Sequence, residues 1–211
     1  MRFYEPLDDL LQTKSYVRVL RALDGLPNGI EASTREVARR AGVSHPTSST
    51  VLESLRKQGL VTVRRTLWAD EFALNERHIL TKQLRHLFQV ERRVLYETLT
   101  YLAKEVRARA DWIGAAYVFG SAARGDMKAN SDLDIALTCP PRRATQAQAL
   151  LDSFSERTAE RFGNRIHGII GTKPIADMAK AGQPGYRLWR AVAKDGLQFF
   201  PSIDRRVRSS A

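Results

Sequence analysis

Apolar residues in the first third of the chain recur at helical spacing in three successive segments. The segment 14–24 carries an apolar side chain at every third position, which predicts an amphipathic helix. Ser33 and Glu36 form a capping box for a second helix, since each side chain can satisfy an unpaired N–H of the other's backbone. Ser44 is a favoured N-cap for a third helix that runs to Gln58. Three short helices joined by turns are therefore predicted.

The residues after the third helix change to a period of two. Leu60 to Arg65 place alternate side chains on opposite faces, as in a strand, and Glu71 to Leu74 can form its hairpin partner. Two helices joined by a short turn that contains glycine are the pattern of a helix-turn-helix unit.

With this order of elements, the segment 14–74 resembles the winged helix-turn-helix DNA-binding domains, most specifically in GVSHPTSSTVLESLRKQGLVTV. The resemblance implies that the third helix enters the major groove of double-stranded DNA. Outward-facing hydroxyls and basic side chains are the expected DNA contacts: Thr47, Ser49, Thr50, Arg56, Lys57, Arg64 and Arg65. The wing tip, 67–71, departs from the family because it carries Asp70 and Glu71 and no basic residue. A plain three-helix bundle with a hairpin is the alternative interpretation.

The segment 81–110 has a narrow apolar stripe and contains no proline or glycine, which predicts one long linker helix. The stripe consists of Leu84, Leu87, Leu95, Leu99, Leu102 and Val106, and Glu91 falls on it. Two interpretations stay open: the helix pairs with a second copy as a homodimer, or it packs onto the two flanking domains.

Small and acidic residues stand at the ends of two apolar segments in the last third of the chain. The run 115–119 ends in Gly120 and Ser121, whose small side chains allow phosphate groups to approach the backbone. Asp132 and Asp134 lie two apart at the start of the next apolar strand, so both carboxylates project from one face. Two carboxylates placed in this way can hold a divalent cation.

This pattern resembles the signature of the polymerase-beta superfamily of nucleotidyltransferases, in particular its minimal members. The resemblance rests on Gly120-Ser121 and Asp132-Leu133-Asp134, with Arg124 in the ten residues between them. It implies that Gly120, Ser121 and Arg124 bind a nucleoside triphosphate and that Asp132 and Asp134 bind Mg²⁺.

A third carboxylate in such enzymes usually lies on the strand that follows the next helix. In this sequence that strand reads RIHGIIG, and His167 stands near the expected position. We expect His167 to be a catalytic base or a metal ligand, and a structural histidine is the alternative.

The composition narrows the range of partners. Thirty-four basic and 23 acidic residues give a formal charge of +11, which favours polyanions such as nucleic acid and nucleotides. Residues 1–80 carry only twelve basic and ten acidic side chains, so DNA binding there depends on local placement of charge. Cys139 is the single cysteine, which excludes an internal disulfide framework. No apolar segment has the length of a membrane span, and no secretion signal begins the chain, so a cytoplasmic protein is expected.

The predicted fold class is α/β in the broad sense of mixed helices and strands, and more narrowly α+β. It comprises a winged helix-turn-helix domain over 1–80, a linker helix over 81–110, and a nucleotidyltransferase-like mixed sheet with flanking helices over 111–211. The predicted function is a DNA-binding transcriptional regulator that binds NTP and Mg²⁺ and transfers a nucleotidyl group to an acceptor hydroxyl. Two alternatives are a non-catalytic nucleotide-sensing transcription factor and a component of a toxin–antitoxin system.

Overall fold

The computed structural model describes residues 11–27, 29–128 and 131–209. The chain divides into two compact units, and the division falls directly after Glu91. Within the described residues, no helix combines the length and the apolar character that crossing a membrane requires.

In the part of the first unit that the structure describes, three helices and a small antiparallel sheet precede the long helix. These elements are α1 (Lys14–Asp24), β1 (Ala32–Ser33), α2 (Thr34–Ala41), α3 (His45–Lys57), β2 (Val61–Arg65) and β3 (Asp70–Leu74). The strand order is β1-β3-β2. Two serine side chains cap the second and third helices: Ser33 Oγ accepts from the N–H of Glu36, and Ser44 Oγ accepts from that of Thr47. Gly42 adopts a φ of 61° at the turn between these helices, a conformation that glycine adopts without strain.

Apolar side chains from all three helices and the hairpin form one core in this unit. Its most completely buried members are Val19, Leu20, Leu52, Leu55 and Leu60. The winged helix predicted from periodicity is therefore present, with β2 beginning one residue after the predicted Leu60.

A long helix, α4 (Thr81–Arg109), follows the hairpin. Leu84, Leu99, Leu102 and Val106 of the predicted stripe are buried, whereas Leu87 is 53% exposed. The stripe is therefore not uniformly buried: Phe88 takes the buried position beside Leu84. Leu87 points to solvent because a helix turns 3.6 residues per turn, and adjacent residues lie on different faces.

The second unit contains a four-stranded mixed sheet. Its elements after α4 are β4 (Ala115–Phe119), α5 (Gly120–Arg124), β5 (Leu133–Thr138), α6 (Ala144–Phe162), β6 (Ile166–Gly171), α7 (Ile175–Met178), α8 (Tyr186–Asp195), β7 (Leu197–Phe200) and α9 (Arg205–Ser209). The strand order is β6-β5-β4-β7, in which β5 and β6 are parallel and the other pairs are antiparallel. This arrangement confirms the predicted α+β class.

Each face of this sheet has its own apolar cluster. Val118, Ile135 and Leu151 belong to the larger cluster, which includes α4 and α6. Phe119 and Ala136 belong to a smaller cluster on the opposite face, with side chains of α7 and α8. Successive residues of a strand alternate between faces, so Asp134 lies on the same face as Ala136.

Candidate functional site

Three strand segments meet at one end of the mixed sheet. The register places Asp134 of β5 opposite Phe119, the last residue of β4, and opposite His167, the second residue of β6. Sequence positions separated by as many as 48 residues are therefore neighbours on one face of the sheet. The structure brings Gly120, Asp134 and His167 of the predicted site together.

Gly120 lies directly against the Asp134 carboxylate. Its φ is +69°, and a Cβ built on it would overlap Oδ2 of Asp134. Any larger residue at position 120 would both strain the backbone and displace that carboxylate. The glycine of the Gly-Ser pair thus has a steric function in the site, beyond the approach of a phosphate group that the sequence suggests.

His167 and Asp134 are within hydrogen-bonding distance. Nδ1 of His167 lies 3.2 Å from Oδ1 of Asp134. The side chains are 58% and 28% exposed, respectively, so the site is open to solvent. If Nδ1 carries the proton, the imidazole donates to the carboxylate, and Nε2 is left as a proton acceptor.

The other predicted residues lie around this group. Asp132 is exposed two residues before Asp134, and Ser121 is the second residue of α5. The Arg124 guanidinium at the end of α5 donates to Asp126 at 3.2 Å, and this pairing occupies the predicted phosphate-binding residue. Among the residues that the structure describes, no group of three or more His, Cys, Asp or Glu side chains is placed to hold a metal ion. The predicted metal ligands are thus two carboxylates, Asp132 directly before β5 and Asp134 within it.

The hydroxyl side chains predicted to contact DNA lie on the first half of α3. Ser49 and Thr50 are exposed, and Thr47 is half-buried. Thr50 Oγ1 donates to the carbonyl of Pro46 at 3.1 Å, and Thr47 Oγ1 lies 2.7 Å from Ser44 Oγ. Ser49 and Thr50 also line a groove of about 570 Å³ along the same helix. These hydroxyls occupy the surface of α3 that a major groove would meet.

Most of the basic side chains predicted to contact phosphates already have carboxylate partners. Arg56 donates two hydrogen bonds to Glu53, at 2.8 and 2.7 Å, and Lys57 Nζ lies 3.9 Å from the same carboxylate. Arg56 is the main cause of the lowered pKa of Glu53. The spacing of Glu53 from Arg56 and Lys57, three and four residues along a helix, is a signal present in the sequence.

The hairpin arginines differ from each other. Arg64 pairs with both Glu31 and Glu71, and these carboxylates raise the pKa of its guanidinium. Arg65 makes no ion pair within 11–27, 29–128 and 131–209. The Arg64 partners were missed from the sequence because Glu31 lies 33 residues away. Arg65 is therefore the hairpin cation best placed for a phosphate contact.

The wing tip presents two apolar side chains that sequence reasoning did not place in an interface. Leu67 and Trp68 are 95% and 93% exposed. Thr66 holds the turn: its N–H and its hydroxyl both donate to the carbonyl of Ala69, and Oγ1 accepts from the N–H of Ala69. Trp68 also lines a cavity of about 320 Å³, to which Arg35 and Asp70 contribute as well. The tip is therefore an exposed apolar projection on a hydrogen-bonded turn.

Comparison with known proteins identifies the two parts of the chain separately. Residues 12–66 match the MarR family. Residues 103–164 match the family described as polymerase beta, nucleotidyltransferase. No curated protein matches the sequence significantly.

Several solved structures share weak likeness with the chain. A toxin–antitoxin complex with AMP-PNP is 16% identical over 54% of this chain and 80% of that chain, with a TM-score of 0.34. A mutant of the toxin–antitoxin MntA–HpeT is 14% identical over the same shares, with a TM-score of 0.34. The structure of PigF with SAH is 14% identical over 84% of this chain and 63% of that chain, with a TM-score of 0.26. These scores are too low to carry an argument.

Each family match lies within one of the two units and contains motifs that predicted it. The predicted fused architecture is thereby confirmed. The chain joins a winged helix-turn-helix domain, in which residues 12–66 match the MarR family, to a nucleotidyltransferase domain of the polymerase-beta superfamily.

Proposed function

We propose that the chain is a cytoplasmic DNA-binding transcriptional regulator whose second domain binds a nucleoside triphosphate with Mg²⁺ and transfers a nucleotidyl group to an acceptor hydroxyl. The observation that carries the proposal is the meeting of Gly120, Asp134 and His167 at adjacent strand ends. Gly120 and Asp134 lie inside the family match that covers residues 103–164, and His167 lies three residues beyond it.

Gly120 and Ser121 would hold the triphosphate. They follow β4 directly, and neither has a side chain large enough to keep phosphate oxygens away from the backbone. Arg124 would contribute a guanidinium only after giving up its pairing with Asp126, so its contribution depends on the bound anion competing with that carboxylate.

Asp132 and Asp134 would hold Mg²⁺. Their carboxylates fit this ion because Mg²⁺ takes oxygen ligands, keeps several waters and is completed by substrate phosphates, so a cage of protein ligands is not required. The cradle that Gly120 provides for the Asp134 carboxylate supports the same assignment. When bound, the ion would neutralise phosphate charge.

His167 would accept the proton of the attacking hydroxyl. Its Nδ1 faces Asp134, so the carboxylate orients the ring and Nε2 becomes the proton acceptor. Asp134 would thus have two functions, which is consistent with two carboxylate oxygens that face different partners.

One observation favours a second candidate function, a nucleotide sensor without turnover. The residue opposite Asp134 on β6 is His167 rather than a carboxylate. A sensor would bind NTP and change DNA affinity without releasing pyrophosphate.

Release of pyrophosphate distinguishes the nucleotidyltransferase from the nucleotide sensor. Purified full-length chain would be incubated with α-labelled nucleoside triphosphates, Mg²⁺ and a range of acceptors, and pyrophosphate release would be measured. The enzyme proposal expects release by the wild type and its loss in Asp132→Asn with Asp134→Asn, while Asp152→Asn, an exposed carboxylate on α6, serves as a control. Nucleotide binding without pyrophosphate release for any acceptor would favour the sensor.

The DNA-binding part of the proposal is based on α3 and the hairpin of β2 and β3. The exposed hydroxyls of α3 would meet base edges, and Arg65 together with Lys57 would contact phosphates. A homodimer through α4 would suit a two-fold DNA site, and the exposed Leu87 supports it.

A further inference from the structure

Four arginines line one cavity in the first unit. Arg18 and Arg21 lie one turn apart on α1, and Arg39 and Arg40 are in the last turn of α2. The cavity, hereafter the arginine cavity, has a volume of about 420 Å³ and is otherwise lined by two alanines and Gly42. Small-ligand sites typically measure about 300–1,000 Å³.

The arginine cavity has more positive than negative charge. Glu36 accepts hydrogen bonds from both Arg39 and Arg40, and these guanidiniums lower its pKa to about 2. Glu91 accepts two hydrogen bonds from Arg21. Arg18 makes no ion pair within the described parts of the chain, and its guanidinium donates to the carbonyl of Gly42 at 3.3 Å. Within the part of the chain that the structure describes, the four guanidiniums and their two carboxylate partners leave an excess of two positive charges.

The lining also restricts the kind of anion. Among the described residues, no aromatic side chain lines the cavity, and its apolar members, Ala22 and Ala41, are small. Guanidinium groups bind phosphate oxygens through paired N–H donors in a planar fork. A phosphate dianion would match the excess charge.

We propose that the arginine cavity binds a phosphate-bearing anion, either inorganic phosphate or the phosphate group of a small phosphomonoester. None of the residues predicted to contact DNA lines this cavity, which separates it from the surface of α3 and the hairpin. A small ligand is favoured over the DNA backbone because the four arginines lie on α1 and α2 and not on the recognition helix α3.

Arg21 connects the arginine cavity to the long helix. Its guanidinium holds Glu91 of α4 through hydrogen bonds of 2.6 and 2.7 Å and lies 5.7 Å from the centre of the Phe88 ring. A phosphate that accepts hydrogen bonds from Arg21 competes with Glu91. Binding of phosphate in the cavity therefore weakens the ion pair between α1 and α4. By linkage, removing the Glu91 carboxylate tightens phosphate binding.

The test is a calorimetric titration of the full chain with inorganic phosphate and, separately, with glycerol phosphate. Chloride keeps the ionic strength constant, and EDTA removes divalent ions so that the nucleotidyltransferase site is not loaded. Arg18→Gln with Arg39→Gln is expected to weaken phosphate binding about tenfold or more, because each guanidinium supplies charge-assisted hydrogen bonds. Arg142→Gln with Arg190→Gln removes the same charge from the second unit and is expected to leave the affinity unchanged.

Two further variants keep the result clear if the double variant fails to fold. Ala22→Glu places a carboxylate at the cavity without removing an arginine and is expected to weaken phosphate binding. Glu91→Gln is expected to tighten it, whereas Glu97→Gln, an exposed carboxylate paired with Arg93, is expected to have no effect.

Three results would overturn the proposal. The first is equal phosphate affinity in the cavity variant and in its charge-matched control. The second is no heat beyond that of chloride with either phosphate compound. The third is a loss of duplex DNA affinity in Arg18→Gln with Arg39→Gln in the absence of phosphate binding, which would assign the arginines to the DNA backbone. If only one of the two phosphate compounds binds, the proposal stands and the ligand is narrowed to that source.

Discussion

Replacing Glu53 with glutamine should strengthen DNA binding by this chain. Glu53 lies on the recognition helix α3 and holds Arg56 through two hydrogen bonds while Lys57 lies 3.9 Å away. A DNA phosphate must therefore compete with this carboxylate for both cations and also experiences its negative charge. Glu53→Gln removes the competitor and keeps the size of the side chain.

The magnitude follows from counterion release. Each phosphate contact on duplex DNA contributes about 0.9 to the slope of log affinity against log salt concentration, so at about 0.1 M salt one contact corresponds to roughly eightfold in affinity. Releasing Arg56 alone should raise affinity by roughly eightfold, and releasing Lys57 as well by roughly 60-fold. The salt slope should become steeper by about 1 to 2.

Fluorescence anisotropy with a labelled mixed-sequence duplex, repeated between about 50 and 200 mM salt, measures both quantities. The matched control is Asp177→Asn, which removes one exposed carboxylate paired with Lys180 in the other unit. An unchanged slope in Glu53→Gln would refute the reasoning. An equal gain in Asp177→Asn would also refute it, because bulk charge would then explain the effect.

Four further predictions concern other parts of the chain. Gly120→Ala should weaken nucleotide binding more than Gly125→Ala does, because both residues have positive φ but only at 120 does a Cβ overlap the site carboxylate; equal nucleotide affinities in a titration would contradict this. Trp68, which is 93% exposed, should lose accessibility to acrylamide when duplex DNA is added, and unchanged quenching would remove the wing tip from the interface. The pKa of Glu36 is lowered from 4.5 to about 2 on folding, so its ion pairs stabilise the fold above pH 4.5 and this contribution is lost as pH falls toward 2. Across that range the melting temperature of the wild type should fall more than that of Glu36→Gln, and parallel curves would contradict the assignment. Leu87→Glu should abolish self-association measured by light scattering, and a wild type that is already monomeric would exclude the proposed dimer through α4.

Features that depend on residues close in sequence were predictable. Ser33 and Glu36 lie three residues apart, and the Ser33 half of the predicted capping box forms, whereas the Glu36 carboxylate accepts from Arg39 and Arg40. The Gly-Ser and Asp-x-Asp motifs likewise lie on short strand ends whose hydrophobic runs are clear. Both domains could therefore be predicted from local hydrogen bonding and apolar periodicity.

Features that depend on register or tertiary packing were not predictable. The approach of Gly120 to the Asp134 carboxylate follows from the pairing of β4 with β5, which the sequence does not specify. The partners of Arg64 come from a preceding loop and a neighbouring strand. A basic residue on a predicted DNA-binding surface can thus be neutralised by acids that lie far away in sequence.

The burial of the linker helix shows the same limit. Some apolar residues of the α4 stripe are not packed against other elements. Apolar spacing alone does not tell which residues of the stripe are buried. Leu87 and Phe88 are adjacent in sequence, yet one is exposed and the other is buried.

The central claim is that Asp132 and Asp134 hold Mg²⁺ for a bound nucleoside triphosphate. Calorimetric titration of the full chain with a non-hydrolysable triphosphate, with and without Mg²⁺, tests this claim without requiring the acceptor to be known. The account predicts binding that needs Mg²⁺ and is lost in Asp132→Asn with Asp134→Asn but retained in Asp152→Asn, an exposed carboxylate on α6. Equal binding by the wild type and the double variant in the presence of Mg²⁺ would contradict it.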